Sequence, residues 1–130
     1  MCGISGLIGK NIIDKNSFYN ISTSHLKRRG PDNQSIYEDL NHNLLLFHSR
    51  LSIIDLDKRS NQPMKYSHNN KTIIGMLNGE IYNYQDLKHE LEAKKYKFNT
   101  SSDTEVLLAL ILDQGFSSLR KLEGIFSIFI

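Results

Sequence analysis

Apolar and polar positions along the chain follow two periodicities, one typical of strands and one typical of helices. Alternating or continuous apolar runs bounded by Gly, Asn and Asp predict strands at 2–9, 35–39, 43–49, 72–77 and 124–130, with 51–56 also extended. Recurrence near 3.6 residues predicts helices over 15–27, over 83–95 and from 102 onward. No repeat or Pro-rich linker divides these segments, so the pattern predicts one folding unit.

Local signals predict where several of these elements begin and end. Asn78-Gly79 is expected to end the fourth strand, and Asn83 is expected to cap the helix that follows. Ser102 with Glu105 three residues later predicts a capping box. The helix after it is apolar nearly all round from Val106 to Leu112, which predicts burial on most sides.

Composition limits the classes of protein to consider. The chain has 130 residues, 39% of them hydrophobic and 23% charged, and a formal net charge of +2. These values fit one ordinary soluble domain and give no reason to expect nucleic acid or a membrane as a partner. No apolar run approaches a membrane span and no basic leader precedes one, so we expect a cytoplasmic protein. The chain stops inside an apolar strand, which suggests a fragment whose open edge at 126–130 could support a homodimer.

The single cysteine, Cys2, follows the initiator methionine. If Met1 is removed, one residue carries both a thiol and a free α-amino group. An α-amine with a pKa of roughly 7.7–8.0 is partly neutral near pH 7 and can accept the thiol proton. Cys2 is therefore a candidate nucleophile with its own base, although a lone cysteine is more often a small buried hydrophobe.

Asn78 and Gly79 are candidates for an oxyanion hole. A side-chain amide beside a glycine N–H provides two donors that can converge on one oxygen, as an oxyanion hole requires. The alternative is a tight turn, since Asn-Gly is a common turn dipeptide.

Two charged positions, Arg50 and Asp103, suggest a binding site for an amino acid. Arg50 lies in an apolar run and could hold a carboxylate, or it could lie on an exposed edge. Asp103 could pair with an ammonium group, or serve only the first turn of its helix. Arg29, in Arg28-Arg29-Gly30-Pro31-Asp32, reads on its own as a solvated turn residue.

These motifs together resemble the glutaminase domain of glutamine-hydrolysing asparagine synthetases, a class II glutamine amidotransferase domain. Arg-Leu-Ser-Ile with Asn-Gly-Glu-Ile-Tyr-Asn favours this branch over the sugar-phosphate and phosphoribosyl amidotransferases. The resemblance runs from Cys2 to Phe126. It is carried by Met1-Cys2-Gly3-Ile4, Arg29-Gly30-Pro31-Asp32, Arg50-Leu51-Ser52-Ile53, Asn78-Gly79-Glu80-Ile81-Tyr82-Asn83 and Ser102-Asp103-Thr104-Glu105.

The resemblance implies an α+β fold, the four-layer αββα sandwich of N-terminal-nucleophile hydrolases, incomplete here, with residues 1–130 as a partial glutaminase domain. It implies L-glutamine as substrate, Cys2 as nucleophile, and Asn78 and Gly79 as the oxyanion hole. Arg29 would support the nucleophile. The implied substrate-binding residues are Arg50, Leu51, Ser52, Ile53, Ile54, Asn78, Gly79, Glu80 and Asp103.

The same resemblance implies no cofactor or metal in this domain. ATP and magnesium would belong to a C-terminal synthetase domain that is absent from this sequence and would use the released ammonia. These residues do not distinguish aspartate from another carboxylate as the amide acceptor. Three alternatives remain: a module that binds glutamine without turning it over, an inactive fragment, and a nucleic-acid module suggested only by Lys27-Arg28-Arg29.

Overall fold

A computed structural model describes residues 2–9 and 14–130 of the chain. Its strands are β1 (Gly3–Ile8), β2 (Asn33–Asp39), β3 (Leu44–Arg50), β4 (Met64–His68), β5 (Lys71–Ile81) and β6 (Gly124–Phe129). Its α-helices are α1 (Lys15–Leu26), α2 (Tyr84–Ala93) and α3 (Asp103–Gln114). Short 3₁₀ helices lie at Lys58–Ser60 and Phe116–Lys121.

The strands form two antiparallel three-stranded sheets with the orders β1-β3-β2 and β4-β5-β6. In the first sheet β3 is central, and Gly3 lies opposite Ser49. In the second sheet β5 is central, and Gly79 lies opposite Phe126. The central strands β3 and β5 carry Arg50 and the Asn78-Gly79 pair, respectively, so the two sheets supply different parts of one site.

Helices cover the outer face of each sheet. Helix α1 packs its Phe18 with Leu45 and Phe47 of β3, while α3 packs on the face of β5 that carries Leu77 and Ile81. Side chains alternate between the faces of a strand, so the residues between these positions face the other sheet. The Phe129 ring lies against Gly6, where an added Cβ would come within 2.9 Å of it. The layers are therefore α, β, β, α, as the sequence resemblance implies.

Helix α3 forms the centre of the larger core. Every residue from Asp103 to Ile111 is buried, in agreement with the pattern that is apolar nearly all round. Ser102 caps the helix by accepting a hydrogen bond from the Thr104 N–H. The reciprocal half of the predicted capping box is wrong, because the Glu105 carboxylate accepts instead from the N–H groups of Asn99 and Thr100.

Three local predictions are wrong in instructive ways. Asn78-Gly79 does not end a strand, because β5 continues to Ile81 in register with β6. Residues 51–56 form an irregular loop instead of an extended strand, and β4 was not predicted at all. Asn83 occupies the N-cap position of α2 without capping it, because its amide donates to the Lys121 carbonyl and accepts from the Glu123 N–H.

None of the helices in the described ranges is long and apolar enough to cross a membrane.

Candidate active site

A cavity of about 220 Å³ opens where the ends of β3 and β5 approach the start of α3. We call it the Cys2 cavity. It contains Cys2, Gly79 and the carboxylate-bearing residues Asp55, Glu80 and Asp103. Its full lining is Cys2, Arg50, Leu51, Ile53, Ile54, Asp55, Ser60, Gln62, Leu77, Gly79, Glu80, Tyr82, Ser102, Asp103 and Ile125.

Most of the sequence-predicted site residues meet in this cavity, and three do not line it. Ser52 does not line the cavity, and its backbone N–H donates to Asp32 Oδ2 at 2.7 Å. Asn78 lies beside the cavity on β5, and Arg29 lies on its outer side. Cavity residues that sequence reasoning did not propose for the site are Asp55, Ser60, Gln62, Leu77, Tyr82, Ser102 and Ile125.

The half-buried Cys2 thiol is placed by the loop that follows β3. The Leu51 N–H donates to Sγ at 3.3 Å, and Sγ lies 3.6 Å from the Leu51 carbonyl oxygen. The Arg29 Nε donates to the Cys2 carbonyl at 2.9 Å. These bonds fix the sulfur and the backbone of Cys2 beside the end of β3.

The Arg29-Gly30-Pro31-Asp32 turn supports this arrangement from behind. Ser49 Oγ donates to the Gly30 carbonyl at 2.7 Å, and the Asp32 N–H donates to the Arg50 carbonyl at 3.0 Å. A Cβ at position 30 would lie 2.1 Å from the Ser49 carbonyl oxygen, so only glycine fits there. The turn fixes the end of β3 and, through Arg29, the backbone of Cys2.

The Arg50 side chain is only 6% exposed and is held by main-chain oxygens. Its Nη1 donates to the Asp57 carbonyl at 2.9 Å and to Asn61 Oδ1 at 2.8 Å, and its Nη2 donates to the Asp55 carbonyl. None of the ion pairs among the described residues involves Arg50. A buried guanidinium without a carboxylate partner strongly favours an anion in the cavity that it lines.

Strand β5 presents Gly79 to the cavity with an unusual backbone. Its φ is +140°, and a Cβ would lie 2.1 Å from the Ile125 carbonyl oxygen of β6. The Leu77 N–H donates to Gln62 Oε1 and the Ile81 N–H to Asp103 Oδ2, so both point away from β6. Because N–H directions alternate along a strand, the intervening Gly79 N–H points to the same side, where β4 no longer runs.

Asn78 faces the space between the sheets. Its Oδ1 is buried and has no hydrogen-bond partner within the described part of the chain. Unpaired buried polar atoms are few in folded proteins and are frequent at functional sites. The Asn78 side chain therefore has an unpaired oxygen in the described part of the chain, and it lies directly before the Gly79 N–H.

Asp103 and Glu80 give the opposite side of the cavity its negative charge. Asp103 is 5% exposed and accepts the Ile81 N–H at 3.0 Å through Oδ2. Burial raises the pKa of the Asp103 carboxyl above its ordinary value, and the nearby Glu80 charge raises it further. A cationic group bound here would offset both effects.

His48, two residues before Arg50, is buried between the sheets and was not singled out as a site residue from sequence. Neither of its ring nitrogens has a hydrogen-bond partner within residues 2–9 and 14–130. Burial lowers the pKa of His48 to about 4, with a smaller opposing effect from the Leu77 backbone. The imidazole is therefore neutral at pH 7.

Taken together, the Cys2 cavity is lined by a thiol, the Gly79 backbone, a buried cation and the three carboxylates of Asp55, Glu80 and Asp103. Among the described residues, no group of three or more His, Cys, Asp or Glu side chains could hold a metal ion. The cavity can accommodate a small zwitterion at its two charged sides and expose its remaining end to Cys2.

The layered sheets and the cysteine at the start of β1 define the class of N-terminal-nucleophile hydrolases. Comparison with known proteins agrees with this assignment. The family described as "Glutamine amidotransferase domain" matches residues 1–130, and the chain belongs to that family. The chain is similar to a solved structure of glutamine phosphoribosylpyrophosphate amidotransferase from B. subtilis, with 33% identity and a TM-score of 0.55, over 66% of this chain and 20% of that one.

Several curated relatives are asparagine synthetases described as glutamine-hydrolysing. Asparagine synthetase 1 of Bacillus subtilis is 39% identical over 100% of this chain and 20% of its own length. Asparagine synthetase B of Escherichia coli is 41% identical over 78% of this chain and 17% of its own length. The chain thus spans about one fifth of the length of these relatives.

Proposed function

We propose that this chain hydrolyses the side-chain amide of L-glutamine to glutamate and ammonia, with Cys2 as the nucleophile. The observation that carries the proposal is the Cys2 cavity itself, which holds the thiol together with the buried Arg50, a cation without an ion-pair partner among the described residues, and the Asp103 and Glu80 carboxylates. The Glutamine amidotransferase family and the relatives described as glutamine-hydrolysing support the same substrate.

Substrate binding follows from the distribution of charge. Arg50 receives the α-carboxylate through the guanidinium donors that the loop carbonyls leave unused, beside the backbone of Leu51 to Ile54. Asp103 and Glu80 receive the α-ammonium group. With both ends held, the side-chain amide of glutamine extends toward Cys2 and Gly79.

The chemical steps use the free amine of Cys2 once Met1 has been removed. The neutral amine accepts the Sγ proton, and the thiolate attacks the amide carbon. The Gly79 N–H and the Asn78 amide stabilise the oxyanion, each donor lowering the barrier by about 3–4 kcal/mol. The ammonium form of the Cys2 amine returns its proton to the leaving ammonia. Water then attacks the glutamyl thioester, which releases glutamate and restores the thiol.

The ammonia would serve a synthetase. The relatives are described as asparagine synthetases, and residues 1–130 correspond to about one fifth of their length. We infer that these residues form the glutaminase part, and that ATP- and magnesium-dependent amide formation belongs to a synthetase domain outside them. A reactive thiol without a disulfide partner suits the cytoplasmic location that the sequence predicts.

Ammonia release from glutamine by the purified protein tests the proposal. We expect steady hydrolysis by the wild type and loss of at least about a thousandfold in kcat for Cys2→Ala, because the covalent route is removed. Asn20→Ala, an exposed change on α1, is the control and keeps the wild-type rate. Glutamine binding to the wild type without ammonia release would instead show a binding module, and an unchanged rate in Cys2→Ala would refute the mechanism.

A further inference from the structure

The ladder between β4 and β5 stops just before the catalytic part of β5. Its last pair joins Met64 and Gly75. Continuing the same register places Pro63 opposite Met76 and Gln62 opposite Leu77. The Met76 N–H points toward β6, so the next bond of this ladder would be to the Leu77 N–H, where no backbone pair forms.

The Gln62 side chain bonds the backbone of β5 at the point where β4 no longer pairs with it. Its Oε1 accepts the Leu77 N–H at 2.6 Å, and both residues are buried. A buried N–H without a partner would cost about 1–3 kcal/mol, so the side-chain amide stands in for a ladder carbonyl. This bond ties β5 on the side away from β6.

The Gly79 N–H lies between two backbone N–H groups that side-chain oxygens hold. The Leu77 N–H is held by Gln62 and the Ile81 N–H by Asp103, both on the side that faces the Cys2 cavity. Gly79 lies midway between these two bonds and its φ is +140°. Its N–H direction is therefore set by pairing with β6 on one side and by two side-chain acceptors on the other.

The segment that carries Gln62 also contacts the buried arginine. Arg50 Nη1 donates to Asn61 Oδ1 at 2.8 Å, and Gln62 itself lines the Cys2 cavity. Residues 61–62 thus connect the guanidinium on the first sheet to β5 on the second.

We propose that Gln62 is a positioning residue for hydrolysis. By holding the Leu77 N–H, it fixes the part of β5 just before Gly79 and so directs the Gly79 N–H at the oxyanion. The inference rests on the proposed glutaminase function. Gln62 acts through β5 in the transition state and makes little difference to ground-state binding of glutamine.

Three substitutions of Gln62 separate these roles. Gln62→Met keeps the length of the side chain and removes the acceptor, and Gln62→Glu restores an acceptor oxygen at the same reach. Gln62→Asn stays polar but is one methylene too short to reach Leu77, and it replaces the methionine variant if that variant does not fold. Gln85→Met, on the exposed face of α2, is the matched control.

The measurements are kcat and KM for glutamine, together with the rate at which iodoacetamide alkylates Cys2. Displacement on iodoacetamide forms no oxyanion, so its rate reports the thiol alone. We expect Gln62→Met to lower kcat by about tenfold to a hundredfold, with KM and the alkylation rate within about twofold of wild type. Gln62→Glu recovers kcat to within about threefold.

An unchanged kcat in the methionine and asparagine variants would overturn the inference while leaving the proposed function intact. Parallel losses of kcat, substrate binding and alkylation without rescue by glutamate would also overturn it, because they indicate a merely structural role. A wild-type protein that releases no ammonia would refute the proposed function, and the inference would fall with it.

Discussion

Arg50 and His48 lie two residues apart on β3 and both face the second sheet. They differ in hydrogen bonding, because Arg50 has partners for its side chain and His48 has none within the described residues. The guanidinium of Arg50 is surrounded by carbonyl and amide oxygens of the loop 55–61. His48 has no such partner among the described residues, and burial lowers its pKa to about 4. The structure thus keeps a neutral ring beneath the buried cation.

This arrangement predicts a pH-dependent contribution of His48 to stability. The pKa of His48 is depressed in the folded state from an ordinary 6.5 to about 4. Its contribution is therefore fully present above pH 6.5 and is lost as the pH falls toward 4, by about 3 kcal/mol. We expect His48→Gln to flatten this part of the stability curve, measured by urea unfolding between pH 7 and 4.

The exposed His25 provides the control for this comparison. His25→Gln should leave the slope of stability against pH as in the wild type, whatever its effect on the absolute value. If His48→Gln and the wild type lose stability in parallel over this range, His48 is not a buried neutral group.

Asp103 gives a second prediction at this scale, for substrate binding. Its carboxyl must be ionised to hold the α-ammonium group, and burial raises its pKa. The KM for glutamine should therefore rise as the pH falls toward that pKa. Asp103→Asn should raise KM by roughly 10- to 100-fold, since a hydrogen bond to a charged group is worth about 1.5–3 kcal/mol.

Asp86, an exposed acid in the first turn of α2, is the matched control for Asp103. Asp86→Asn keeps the wild-type KM and its pH dependence. An Asp103→Asn protein with wild-type KM would show that this carboxylate serves only the start of α3.

At the scale of elements, β5 shows why a local signal failed. Asn78-Gly79 is a common turn dipeptide, but pairing with β6, nearly fifty residues later in the chain, keeps it extended. Gly79 adopts a φ of +140° because the β6 backbone approaches too closely for a side chain. Glycine is needed here for space and for conformation together.

Gly79→Ala tests this account of β5. An added Cβ would lie 2.1 Å from the Ile125 carbonyl, so we expect a loss of at least about 3 kcal/mol in the free energy of unfolding. Gly115→Ala is the matched control, since Gly115 also has a positive φ but nothing lies within 4 Å of its added Cβ. Its cost should be about 1–3 kcal/mol, from the strained backbone conformation alone. Equal costs in chemical denaturation would contradict a steric role for β6.

The sequence allowed prediction of those elements and residues whose signals are local or chemical. Helix α3 was predicted because its apolar run fits only a buried helix. Cys2, Arg50 and Asp103 were proposed from their side-chain chemistry and the family resemblance, and the structure places all three around one cavity. Gln62 and Asp55 were missed because their roles are hydrogen bonds to backbone far along the chain. Gln62 bonds Leu77, and Asp55 Oδ2 bonds the Ser101 N–H at 2.8 Å. Neither partner has a signal in the sequence.

At the scale of the whole molecule, the Cys2 cavity depends on both sheets. The first sheet brings Cys2 and Arg50, and the second brings Gly79 and the start of α3. Asp55 joins the two halves, because its carboxylate accepts from Ser101 before α3 and from Asp57 in its own loop. The hydrogen bond to Ser101 is the largest cause that holds the pKa of Asp55 below its ordinary value.

The central claim is that Cys2, freed of Met1, attacks the side-chain carbonyl carbon of bound glutamine. The most direct test is the intact mass of the protein after treatment with a glutamine-mimicking diazoketone, followed by peptide mapping. We predict a single adduct on Cys2 in a chain that lacks Met1, protection by excess glutamine, and no adduct in Cys2→Ser. A folded protein that begins at Cys2 and stays unmodified, or labelling that persists in Cys2→Ser, would contradict the account.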